Sequence, residues 1–145
     1  MIELTTEEIT RAAGGEWLGD PELLSARPAD VVTDSRDAGP GSLFIAIRGE
    51  RTDGHRFIPD VLRRGALAVL CSEKGTEGEP RILTGNVMDA LRAVAVYSRS
   101  RFACPFIGVT GSVGKTTAKE MIAAALSARF STFRKIGRAS CRERV

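Results

Sequence analysis

The chain of 145 residues has little of several things, and each shortage narrows the field. Its three cysteines form no C-x-x-C pair, which removes a disulfide framework and a thiolate metal site and points to a reducing, cytoplasmic setting. No apolar run approaches the roughly 20 residues that cross a bilayer, so no membrane insertion is expected. The opening "MIELTTEEIT" is acidic and polar, unlike an export signal. There is no internal repeat and no low-complexity tract. Cys71 and Cys104 lie in apolar, strand-like runs and read as buried core.

The pI of about 9.0 would suit a nucleic-acid partner, but position argues otherwise. The last eleven residues, "KIGRASCRERV", hold Lys135, Arg138, Arg142 and Arg144 against Glu143, and so carry the whole net charge of +3. Residues 1–134 are neutral with interspersed charges, and no nucleic acid is expected. The tail 135–145 lacks an apolar period, resembles a translated adapter sequence and is expected to be non-native.

What the chain does hold is an alternation of short apolar runs and helical patterns. Thr5 and Glu8 stand in capping-box spacing before a short helix that Gly14 and Gly15 stop, and Trp17 and Leu18 follow as core residues. Strands are predicted at 31–36, 43–48, 66–71, 81–84 and 105–110, with another opening at 131–134. Helices are predicted at 57–65, from Asn86 to about Arg99 with Met88, Leu91, Val94 and Ala95 inward, and at 115–130 with Met121, Ile122, Ala125 and Leu126 inward. The fold class is therefore α/β with a mainly parallel sheet: a small N-terminal module at 1–84 and the start of a P-loop ATPase domain at 85–134, with the boundary within 80–86.

One stretch carries chemistry on its face: "GVTGSVGKTT", residues 108–117. Between a predicted strand and a predicted helix, Gly111 and Gly114 allow backbone N–H groups to turn onto phosphate oxygens. The helix N-terminus adds positive potential, Lys115 reaches the β- and γ-phosphates as the catalytic cation, and the Thr116 hydroxyl suits Mg²⁺. Thr110, Gly111, Ser112, Val113, Gly114, Lys115, Thr116 and Thr117 form the expected ATP site. Strict spacing would put a glycine at Val109, whereas Gly108 comes one residue early.

A second constellation follows the early strands: Asp34, Ser35 and Arg36, then Asp53, Gly54 and His55. A hydroxyl and a guanidinium at the end of a strand suit a phosphate-bearing ligand. The same triplet also reads as a turn closed by local hydrogen bonds, and a lone histidine as a structural one. Chemistry alone leaves both readings open.

The text "TDSR…PGSLFIAIRGERTDGH.FI…GALAVL" followed by "GVTGSVGKTTAKEM" resembles the Mur ligase family of peptidoglycan synthesis over residues 1–134. Within it, "RGERTDGHRF" and "GKTTAKEM" are most similar to the member that adds D-alanyl-D-alanine. The resemblance implies a monomeric, cytoplasmic ligase that uses ATP and Mg²⁺. Its partners would be a UDP-N-acetylmuramoyl tripeptide and D-alanyl-D-alanine, joined through an acyl phosphate. Ser35, Arg36, Asp53, Gly54 and His55 would bind the uridine end of the substrate. It further implies a chain that stops short of its remaining site residues and is inactive alone. The alternatives are a non-catalytic nucleotide-binding module, a small P-loop kinase, or the relative that adds the third amino acid.

Overall fold

A computed structural model describes residues 4–50, 52–75 and 79–132. The chain divides into two compact units, 1–102 and 103–145. The first runs past the 80–86 region where the sequence suggested a boundary, because the helix that follows is part of its core.

In this first unit the elements are α1 (Thr6–Ala12), β1 (Glu16–Trp17), a 3-10 turn at Pro21–Ser25, β2 (Val31–Val32) and β3 (Leu43–Ile45). A second 3-10 turn at Gly54–Phe57 leads into α2 (Ile58–Arg63), then β4 (Ala68–Cys71), β5 (Arg81–Leu83) and α3 (Val87–Ser100). The sheet order is β1-β5-β4-β3-β2. All pairs are parallel except β1 on β5, where Glu16 faces Leu83 and Trp17 faces Ile82. The mainly parallel α/β class expected from the sequence is the class found.

Side-chain alternation divides the core in two. Leu43, Ile45, Ala68, Leu70 and Ile82 point to the face that carries Leu4, Ile9, Val87 and Ala90, so α1 and α3 cover it. Phe44, Val69 and Cys71 point to the face covered by Ile58 and Val61 of α2. With both faces covered, all four residues of β4 are buried, which is why 66–71 reads as an unbroken apolar run. The α1 capping box is complete: the Thr5 N–H donates to Glu8 Oε2 (2.9 Å) and the Glu8 N–H to Thr5 Oγ1 (3.2 Å). Trp17 packs against the first cluster.

Several expected elements shift. β2 is two residues rather than the run 31–36, since the chain turns at Asp34. The inward stripe of α3 is Val87, Ala90, Leu91, Val94 and Tyr97: Leu91 and Val94 face inward as expected, but Met88 and Ala95 are exposed and Val87, Ala90 and Tyr97 take their place. Cys71 is buried as expected, and burial raises its thiol pKa, but Cys104 is exposed.

The second unit contains α4 (Lys115–Ser127). The run 105–110, expected as a strand, lies in none, and Phe106 and Ile107 are exposed. A strand requires a neighbour for its N–H and C=O groups, and no strand occurs among the described residues of this unit. Met121, expected inward, is 68% exposed; Ile122 and Leu126 are half-buried and Ala125 is exposed. Residues 131–132 are not in a strand, and 133–134 and the tail 135–145 lie outside the described residues.

Candidate functional site

Parallel sheets meet ligands where their strands end, and the chain gathers polar groups there. Arg48 follows β3, Ser72 follows β4, and Gly85 and Asn86 follow β5. With Ile47, His55, Val87 and Met88 they line an open cleft of about 180 Å³. Asn86 caps α3, its Oδ1 accepting from the N–H groups of Met88 (2.9 Å) and Asp89 (3.2 Å). The helix that forms one wall thus has two of its first amides occupied by its own cap.

Behind the cleft, one carboxylate organises three donor groups from two residues. Asp53 Oδ1 accepts from the His55 N–H (3.0 Å) and lies 2.6 Å from His55 Nδ1, while Oδ2 accepts from Arg48 Nε (2.8 Å). The backbone donor from His55, then its ring and Arg48, hold the Asp53 carboxyl well below the usual carboxylate range. His55 Nε2 in turn accepts from the Ser72 N–H (3.0 Å) and meets Ser72 Oγ at 3.1 Å. An amide N–H only donates, so Nε2 is bare and the ring hydrogen sits on Nδ1, aimed at Asp53.

That tautomer bears on metal binding. Asp53, His55 and Glu73 offer ligand atoms within 4.8 Å of one another. Arg48 already bridges the two carboxylates, with Nη2 donating to Glu73 Oε1 (2.5 Å), and the nitrogen facing them carries a hydrogen. The trio is an ion-pair network with the guanidinium in the cation's place.

Of the sequence-predicted residues, Asp53 and His55 are brought together and His55 reaches the cleft. Gly54 serves a close backbone approach: a Cβ there would lie 2.8 Å from Ile47 N and O. Ser35 and Arg36 do not line this cleft. Arg36 folds back on Asp34, with Nε at 2.9 Å and Nη2 at 2.6 Å from its carboxylate, and its N–H donates to Asp34 Oδ1 (3.0 Å). The triplet is a turn with local hydrogen bonds, in which the Arg36 N–H, Nε and Nη2 all donate to Asp34. Arg48, Ser72, Glu73 and Asn86 were missed, although all four stand within three residues of a parallel strand's end.

In the second unit, Thr110, Gly111, Ser112 and Val113 form an exposed loop into Gly114, which caps α4 with φ 79°. A side chain would strain that left-handed conformation. Lys115, Thr116 and Thr117 form the first helical turn, where backbone N–H groups lack intrahelical acceptors. The Lys115 ammonium curls back to donate to the Gly111 carbonyl. Glycine at the turn, amides facing outward and a cation at the loop mouth fit a nucleotide phosphate, and the Thr116 hydroxyl beside them fits a magnesium ligand.

Residues 29–101 match the model of the Mur ligase family, catalytic domain. The chain is 47% identical over 102 residues to UDP-N-acetylmuramoyl-tripeptide–D-alanyl-D-alanine ligase of Synechocystis sp., covering 68% of this chain and 22% of that protein. It is 40% identical over 131 residues to UDP-N-acetylmuramoyl-L-alanyl-D-glutamate–2,6-diaminopimelate ligase of Chlorobium phaeobacteroides, covering 83% and 23%. Among solved structures it is similar to the MurF ligase of Thermotoga maritima in complex with ADP, with a TM-score of 0.65 and 35% identity over 74% of this chain and 25% of that one. The chain thus spans about a quarter of each of these relatives.

Proposed function

The chain belongs to the Mur ligase family, and on that premise we propose that it forms part of an ATP-dependent amide ligase of peptidoglycan precursor synthesis. The reaction is the addition of D-alanyl-D-alanine to a UDP-N-acetylmuramoyl tripeptide. The observation that carries it is the loop 110–117, with the Lys115 ammonium at its mouth and Gly114 opening α4, together with similarity to a ligase solved with ADP. An amine cannot expel oxide from a carboxylate but can expel phosphate, so the tripeptide carboxylate is first converted to an acyl phosphate. In that step Lys115 and the loop amides stabilise charge on the moving phosphoryl group. Thr116 would hold Mg²⁺, which supplies further neutralisation of phosphate charge when bound. The first unit holds the uridine end, with Asp53, Gly54 and His55 at the cleft and Ser35 and Arg36 on the turn after β2, outside its lining, as further contacts, and the ligase works as a cytoplasmic monomer.

ATP titrated onto the labelled chain should move the amides of 111–117, and UDP those around Ser35, Arg48 and His55. ATP shifts confined to the first unit would overturn the assignment. The similarity to the diaminopimelate ligase favours a second reading, in which a single diamino acid is the amine. In the complete ligase, ADP release that requires D-alanyl-D-alanine supports the first reading, and release driven by a diamino acid supports the second.

A further inference from the structure

Arg48 lines the cleft with a side chain that is 64% exposed, yet it is held from two directions: Asp53 takes its Nε and Glu73 its Nη2. These two carboxylates come from different loops, one after β3 and one after β4. A single side chain sets the distance between them. His55, 4% exposed, donates from Nδ1 to Asp53 and accepts at Nε2 from the N–H of Ser72, the residue next to Glu73. Both jaws of the Arg48 clamp are therefore tied to opposite ends of one imidazole. Among the described residues Arg48 Nη1 has no hydrogen-bond partner. Bracketed by two carboxylates, the guanidinium offers directed N–H donors more than net positive charge, which suits oxygen acceptors on a nucleotide.

We propose that Arg48 is the residue that contacts the uridine nucleotide in this cleft, and that His55 is a positioning residue, acting through Asp53 and Ser72–Glu73 without touching the ligand. This rests on the reading that the first unit binds the uridine end. UDP is the probe, titrated onto the full chain by NMR, with ring nitrogens of His55 observed directly. Wild-type protein should bind UDP and show the Nδ1–H tautomer. Arg48→Ala should weaken binding about tenfold, the scale of one hydrogen bond to a charged donor, and leave the tautomer unchanged. His55→Asn, which keeps a donor to Asp53 but loses Ser72, should weaken binding to a similar extent. In the Arg48→Ala background it should cost nothing more.

Wild-type protein that fails to bind UDP overturns the underlying reading. Binding that Arg48→Ala leaves intact, or His55→Asn and Arg48→Ala effects that simply add, overturns this proposal alone. Should His55→Asn not fold, an Nε2–H signal in wild-type protein would overturn the proposed strut just as well.

Discussion

At the scale of single residues, Gly54 and Asp53 show how position fixes role. Any side chain at 54 runs into the backbone of Ile47, so Gly54→Ala should destabilise the first unit by about 1–3 kcal/mol, read from urea denaturation. A melting point equal to that of wild type would mean the approach is looser than 2.8 Å. Asp53 has a folded-state pKa below its unfolded value, so its stabilisation is present above the ordinary carboxylate range and is lost as pH falls through the depressed one. Asp53→Asn should therefore be less stable than wild type at pH 7, with the gap closing only below about pH 4. A gap that closes near neutrality would point to another titrating group. The sequence made Asp53 and His55 visible as a tight "DGH" loop. It could not show that Arg48 and Glu73 complete the network, because residues 48 and 73 are separated in sequence by an entire helix and strand and meet only where parallel strands end. Arg36 shows the local counterpart: its fork suits phosphate, but in the turn it closes on the carboxylate of Asp34, two residues back.

At the scale of elements, the caps were legible because they depend on neighbours in sequence alone. Thr5→Ala should cost about 1 kcal/mol of stability and fray α1, as seen in hydrogen exchange at Glu8; a change within error would mean Glu8 holds the turn unaided. Registers of amphipathic helices were less legible. α3 offers apolar residues at 87, 88, 90, 91 and 93–97, nearly all around, and only the sheet decides that Val87 and Ala90 go inward while Met88 and Val96 face solvent. The strands β3 and β4 were found because burial on both sides leaves a run of apolar residues with no polar interruption, whereas β5 opens on Arg81 and shows only Ile82 and Leu83 as its apolar signal. The run 105–110 is similarly apolar, but no strand pairs with it among the described residues, so composition alone overstated it.

At the scale of the whole chain, the two units differ in what they bury. The first has a core on each face of its sheet; the helix of the second has no buried residue. Amides of Leu43–Ile45, Ala68–Cys71 and Arg81–Leu83 should exchange slowest, and those of Lys115–Ser127 orders of magnitude faster, since protection follows the local opening energy. Equal protection in both would show that α4 has cover that these residues do not supply.

The order β1-β5-β4-β3-β2 also has a consequence for a chain emerging from the ribosome. The strand made first, at Glu16–Trp17, pairs only with the strand made last, at Arg81–Leu83, and α1 packs beside α3, which comes later still. At synthesis rates of about 5–20 residues per second, the N-terminal segment waits several seconds without its partner. During that interval Leu4, Ile9 and Trp17 remain uncovered, and a nascent polypeptide arrested before residue 83 should still be open to proteases and chaperones along its whole length.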